Sequence, residues 1–251
     1  NSPLANYLPS HVNDQLKRRS FHEIPLNLQH SHPLRELCRV ITVDLNLPWL
    51  QNHELGPFSR DAVHISFDRY VSSRLNRLQN LRAVYAYEDG AFKSFQEANK
   101  LGIRRIYDLP IGYWRAAQAT FAEERELQPG WACTLDGLKD SSAKNRRKEQ
   151  ELLFADLVIV PSQFVKSTLS SSEVDASQIA VIPYGSPPAL IEPTIPKLGF
   201  PLRVLYVGSL GQRKGLSYAL DAIDALGSQV SLTLIGKPSS RECQQLNSAL
   251  L

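Results

Sequence analysis

Methionine is missing from this sequence altogether, and cysteine is sparse, with Cys38, Cys133 and Cys243 the only thiols in 251 residues. The three lie far apart and form no CxxC pair, which excludes a disulfide framework or a paired-cysteine zinc site. Reduced thiols and a cytoplasmic location are the expectation. No apolar run approaches the length of a membrane-spanning helix, and residues 1–20 contain no signal-peptide core. Net charge is only +3, which makes no case for nucleic acid or a membrane as an obligate partner, although a basic face could still rest on anionic lipid. The pattern GxGxxG does not occur, and Lys214, which stands in a glycine-punctuated loop, is followed by Gly215 and not by Ser or Thr. Neither a dinucleotide fingerprint nor a P-loop is present.

What is there is the composition of a globular chain, 43% hydrophobic and 21% charged. Short apolar runs, each stopped by a turn residue, alternate with helical periodicity. Strands are predicted over Ala83–Tyr87, Arg104–Leu109, Leu157–Val160, Ile179–Ile182, Leu202–Val207 and Val230–Ile235. Helices are predicted over Val12–Arg19, Leu34–Ile41, after Asp61, and over Ala91–Leu101, Tyr113–Leu127, Ser142–Phe154, Gln163–Leu169 and Leu216–Leu226. A last helix begins at Pro238, and Ser162 is expected to be an N-cap. The pattern implies an α/β protein with doubly wound parallel sheets. Prolines at 187, 188, 193, 196 and 201 mark a linker. The expected organisation is therefore a Rossmann-like domain over residues 1–185, a linker over 186–201 and the start of a second such domain over 202–251. A missing initiator Met and a final helix with no cap lead us to expect a fragment.

Ligands on such sheets sit at the carboxyl ends of strands. After Leu202–Val207, a strand expected to be buried on both faces, the loop carries Gly208, Gly211 and Gly215, with Arg213 and Lys214 at the entry to the next helix. Tight glycine turns, orphan N–H groups, the helix dipole and two cations together describe an anion site, most naturally for phosphate. Glu88 and Asp108 stand at or just before strand ends, where a carboxylate either orients a hydroxyl or simply caps a turn. All six histidines fall within residues 11–64, so none is available near positions 88 or 108 in sequence. The His30-Ser31-His32 pair reads as two exposed loop imidazoles, and Arg146-Arg147-Lys148 as a solvated helix face.

Three segments in register resemble the family 4 retaining glycosyltransferases, which have the two-domain GT-B fold: FADLVIVPSQFVKSTL from Phe154, IAVIPYG over Ile179–Gly185, and the strand and loop from Leu202. The likeness covers roughly residues 83–251. It implies a nucleotide-diphosphate sugar as donor, bound between the two domains, with a carbohydrate, lipid-linked or small-molecule acceptor. No metal and no cofactor is implied. Lys214 falls on the family's Lys-Gly position, whereas Ser209 stands where the family has Arg, so that Arg213 takes the role of the second cation. Gly208, Ser209, Gly211 and Gly215 are implied as donor-binding, and Glu88 and Asp108 are candidates on the acceptor side. The family's glycine-rich first loop and its later pair of glutamates have no counterpart here, so the piece alone is expected to be inactive. A degenerate nucleotide-sugar-binding protein, or a GT-B epimerase or phosphorylase, are the alternatives. A dinucleotide-dependent redox enzyme is disfavoured, because Lys237 follows the second strand where an acidic residue is needed.

Overall fold

The structure, a computed structural model, describes residues 23–135, 140–188, 201–240 and 242–250. The helix predicted over Val12–Arg19 lies outside the described residues, as does most of the proline-rich linker. In chain order the regular elements are α1 (Leu34–Asp44), α2 (Arg60–Ser72), β1 (Ala83–Tyr87), α3 (Phe92–Lys100), β2 (Arg104–Asp108), α4 (Trp114–Leu127), α5 (Ser142–Leu153), β3 (Leu157–Val160), α6 (Gln163–Thr168), β4 (Ile179–Val181), β5 (Leu202–Val207), α7 (Leu216–Leu226), β6 (Val230–Ile235) and α8 (Gln244–Ala249). None of the described helices is long and apolar enough to cross a membrane.

The strands form a four-stranded sheet in the order β1-β2-β3-β4 and a separate pair, β5-β6. The β1-β2, β2-β3 and β5-β6 ladders are parallel. A doubly wound sheet reverses its strand order partway across; the four described strands follow one another without reversal. Tyr85 and Tyr87, on one face of β1, are 50% and 56% exposed. By their packing the described residues fall into two compact units, one reaching Asp108 and including Arg146–Ile159, the other made of Leu109–Asn145 and the residues from Val160 on.

In the first unit Phe95 and Ala98 of α3 are fully buried, and Phe95 meets Tyr107 of β2 edge-on at 6.2 Å. Burying such a side chain contributes about 2–3 kcal/mol. Gly102, at φ 67°, ends α3 and turns the chain into β2. Asp156, just before β3, takes the backbone N–H of Arg105 at 2.7 Å and the Arg105 guanidinium at 2.6 and 3.0 Å. These bonds pin the start of β3 to β2 and hold the Asp156 carboxyl below its usual range, against the opposing effect of burial.

In the second unit Ser162 caps α6 as expected, accepting the Val165 N–H at 3.2 Å. Trp131, Leu210, Leu216, Cys243 and Leu246 form its apolar cluster, with Tyr206, Leu220 and Leu234 packed against it. The two-sided burial expected of β5 is not found, since Leu205 is 60% and Val207 68% exposed. Among the described residues only the face of Tyr206 and Leu234 packs on the apolar cluster. The last helix also starts later than expected, at Gln244. Pro238 pairs with Leu210 in an extended bridge, and the Ser239 N–H donates to Leu210 O at 2.9 Å, so this stretch continues β6 instead of coiling.

Candidate functional site

The loop after β5 is built by close backbone approach. Gly208 N–H donates to Ile235 O and Leu210 N–H to Lys237 O, both at 2.9 Å, extending the β5-β6 ladder past the strand ends. A Cβ on Gly236 would stand 1.7 Å from Gly208 O, so no other residue fits there without moving the backbone. Gly211 is crowded by side chains instead: its Cβ would lie 2.3 Å from Ser239 Oγ and 3.1 Å from Thr134 Cβ, so a larger residue there would have to displace Ser239. Ser209 Oγ and Ser239 Oγ are 2.8 Å apart, and Ser209 O accepts the Tyr206 hydroxyl at 3.0 Å.

Gln212 is the residue on which this loop hangs, and its role was not anticipated. It is buried, its backbone N–H donates to Thr134 Oγ1 at 2.8 Å, and its amide nitrogen donates to Glu124 Oε1 at 2.6 Å and Ser217 Oγ at 2.7 Å. Its amide oxygen accepts the Ser217 N–H at 3.2 Å, standing in for an N-cap where the residue before α7, Gly215, has no side chain. The anion site is thus narrower than the sequence reading had it. The Gly208 N–H is engaged in the ladder and the Ser217 N–H in the first turn of α7 is engaged by Gln212. Nothing in the sequence marked Gln212 beyond its place before a basic pair.

Arg213 and Lys214 follow in a single 3-10 turn, Gln212–Lys214, closed by Gly215 in the left-handed region at φ 68°. Both are exposed, and neither has an ion-pair partner among the described residues. The Arg213 charge is felt at the Tyr206 phenol, where it partly offsets the upward push of burial. Two adjacent cations, without ion-pair partners among the described residues and next to a buried, hydrogen-bonded neighbour, suit a polyanion; each contributes about 1 kcal/mol at 4 Å in water and more as water is excluded.

The first unit contains a cavity of about 270 Å³ beside β1, lined by His64, Phe67, Val71, Tyr85, Tyr87 and Glu88 among others. Glu88 therefore lines a cavity within the first unit. Its Oε1 is 3.9 Å from Lys148 Nζ, and its backbone N–H donates to Asp108 O at 3.1 Å. Asp108 is buried, accepts the Tyr85 hydroxyl and does not line this cavity. Burial first, and Asp108 second, push the Tyr85 phenol well above its usual range. His64, on α2, shares the cavity with Glu88 although it lies far from position 88 in sequence. His32, by contrast, stacks on Tyr70 at 4.8 Å and meets Ser66 Oγ at 3.0 Å.

Behind the cavity lies a buried ionic cluster. The fully buried Glu151 takes the N–H of Asp89 at 2.8 Å, of Ala91 at 3.3 Å and of Phe92 at 3.2 Å. Asp68 takes the N–H of Lys93 at 2.6 Å and of Ser94 at 2.8 Å. The N-terminus of α3, whose N-cap residue Ala91 has no capping side chain, is thereby satisfied by two remote carboxylates. Arg147 reaches Asp89 at 2.9 Å, Asp61 at 3.6 Å and Glu151 at 3.8 Å. Asp89 itself has φ 71°, a conformation held by the Glu151 and Arg147 contacts. The reading of Arg146-Arg147-Lys148 as a solvated face holds for Arg146 alone: Lys148 is buried and Arg147 is mostly covered. The sign was present in the sequence, because Lys144, Lys148 and Glu151 fall on the same helical stripe as Leu152. Burial drives the Glu151 carboxyl up to about 7 against the pull of its N–H donors and Arg147.

No family model, curated protein or solved structure matches this chain.

Proposed function

We propose that this chain is part of a retaining glycosyltransferase of GT-B type, taking a nucleotide-diphosphate sugar as donor and an acceptor hydroxyl as nucleophile. The observation that carries the reading is the Arg213–Lys214 pair: two exposed cations without ion-pair partners among the described residues, on a glycine-closed turn anchored from behind by buried Gln212. As the bond from the sugar C1 to the diphosphate oxygen breaks, the electron pair passes to the diphosphate. Fixed cations aimed at that oxygen lower the barrier. Lys214 is assigned to the phosphates as a point charge and Arg213 as a guanidinium able to bridge two phosphate oxygens. On the acceptor side Glu88 is the preferred group, supported by its place in the cavity; Asp108, tied to Tyr85, is a positioning residue. The domain division at the proline-rich segment belongs to the same proposal.

A second reading, a nucleotide-sugar-binding protein without catalysis, is favoured by one feature: Ser209 stands in the loop where the resembling family carries its Arg, and its hydroxyl is bound to Ser239. Calorimetry with several nucleoside diphosphates and a nicotinamide dinucleotide, followed by a turnover assay with the matching nucleotide sugars, separates the readings. Diphosphate binding lost in Lys214→Ala supports both. Hydrolysis or transfer by the parent protein selects the enzyme, and a preference for the dinucleotide overturns the proposal.

A further inference from the structure

Ala62, Ile65, Ser66 and Arg69 recur at helical spacing on one face of α2. With Arg35 of α1 and the loop of residues 54–57 they line another cavity of the first unit, about 310 Å³ in volume. Glu54 stands in the left-handed region at φ 59°, which a residue with a side chain adopts where its surroundings impose it. The surroundings here are tight. Gly56 N–H donates to Asn52 O at 2.8 Å, a Cβ on Gly56 would be 2.5 Å from Leu50 O, and Arg35 Nη1 donates to Pro57 O at 2.7 Å. This loop brings the Glu54 carboxylate to the cavity, with Oε1 3.4 Å from His53 Nε2.

Neither Arg35 nor Arg69 has an ion-pair partner among the described residues, although both line the cavity. Arg35 uses one donor on Pro57 and keeps the rest of its guanidinium for a ligand. Ser66 Oγ meets His32 Nε2 at 3.0 Å; where the imidazole donates, the Ser66 O–H is left to donate to an anion. Two guanidiniums against one carboxylate leave a single positive charge in the lining, which suits a carboxylate. A phosphate monoester, at about −1.5 to −2, would bring excess negative charge beside Glu54. Leu55, 88% exposed, lines the cavity with Pro57 and Ile65 and offers apolar surface for the body of a ligand.

We propose that this cavity binds a small carboxylic acid with an apolar body and a hydroxyl or amine beside its carboxylate. Arg35 and Arg69 take the carboxylate, and Glu54 accepts from the hydroxyl or amine. Nothing in this assignment rests on the diphosphate reading of the second unit. The test is amide NMR during titration with leucine, its α-hydroxy analogue, isocaproate (which lacks the second group) and glycerol phosphate. Leucine or its hydroxy analogue should give saturable shifts at Leu55, Gly56 and Ser66 with a Kd of about 1 mM or tighter. Isocaproate and glycerol phosphate should bind at least tenfold more weakly. The tighter of the first two identifies the group that meets Glu54. Arg69 is exposed on its helix, so Arg69→Ala should keep the fold and weaken binding at least tenfold, while Lys214→Ala leaves it unchanged. No saturable shift with either acid, isocaproate or glycerol phosphate binding equally well, or an unchanged Kd in Arg69→Ala overturns the proposal.

Discussion

Replacing Glu151 by Ala removes the acceptor on which the start of α3 depends. Three backbone N–H groups lose their partner: the short bond from Asp89 at 2.8 Å and the longer ones from Ala91 at 3.3 Å and Phe92 at 3.2 Å. Water cannot replace it without entering a site where the carboxylate is fully buried. A buried donor left unsatisfied costs about 1–3 kcal/mol, with the short bond at the upper end and the long ones at or below the lower. Arg147 also loses one of its three carboxylate neighbours while Asp89 and Asp61 remain. The sum is about 4 kcal/mol, a large share of the 5–15 kcal/mol by which a typical domain is stable. Urea denaturation followed by circular dichroism is the assay. The Glu151→Gln variant is the control, since it keeps one acceptor oxygen and the side-chain volume and is expected to lose only about 1–2 kcal/mol. A Glu151→Ala chain within about 1 kcal/mol of wild type would refute the capping argument.

The same carboxyl governs a pH dependence. Its value in the folded chain, about 7, is above the ordinary 4.5, so between these limits the folded state binds the extra proton. The stability it contributes is present below pH 4.5 and is lost as pH rises through 7, amounting to about 3 kcal/mol between acid and alkaline limits. Denaturation midpoints should fall from about pH 5 to 8 in wild type and stay level in Glu151→Gln; parallel curves for the two would remove Glu151 as the cause. For the loop, Gly236→Ala forces its Cβ into the Gly208 carbonyl, 1.7 Å away, at a cost of about 2–4 kcal/mol, whereas Gly90→Ala, with no atom nearer than 3.8 Å, should stay within about 1 kcal/mol. Equal thermal shifts for the two variants would show that the β5 and β6 ends do not touch as described.

Most element positions were legible in the sequence because the strands, β2 with its Arg104, Arg105 and Asp108 excepted, are short apolar runs ended by a turn residue. The β1 and β2 runs stop at Glu88-Asp89-Gly90 and Pro110, and the helix over Leu216–Leu226 ends at Gly227. Burial was less legible. The apolar β5 looks like a two-sided core strand, but how much of it is covered depends on what packs on the sheet, which its own residues do not specify. Charged residues misled in the opposite sense: Arg147 pairs with Glu151, Lys148 with Glu88 and Asp89, and Glu151 satisfies the α3 terminus, and only the helical register of Lys148 and Glu151 with Leu152 distinguished this stretch from a solvated face. His64 reached the Glu88 cavity through the packing of α2 on α3, a contact no local pattern announces. Of the candidate site, Arg213, Lys214 and Gly211 could be read directly. Gln212 could not, because its partners Thr134 and Glu124 come from a distant part of the chain.

The central claim is that the Arg213–Lys214 turn receives a diphosphate, and amide NMR during titration with uridine, guanosine and adenosine diphosphates tests it most directly. With at least one of the three, the account predicts saturable shifts at Ser209 and over Gly211–Gly215. These shifts should weaken at least tenfold in affinity in Lys214→Ala, while the amides of α3 stay in place. Shifts that persist unchanged in Lys214→Ala, or none with any of the diphosphates, would contradict it.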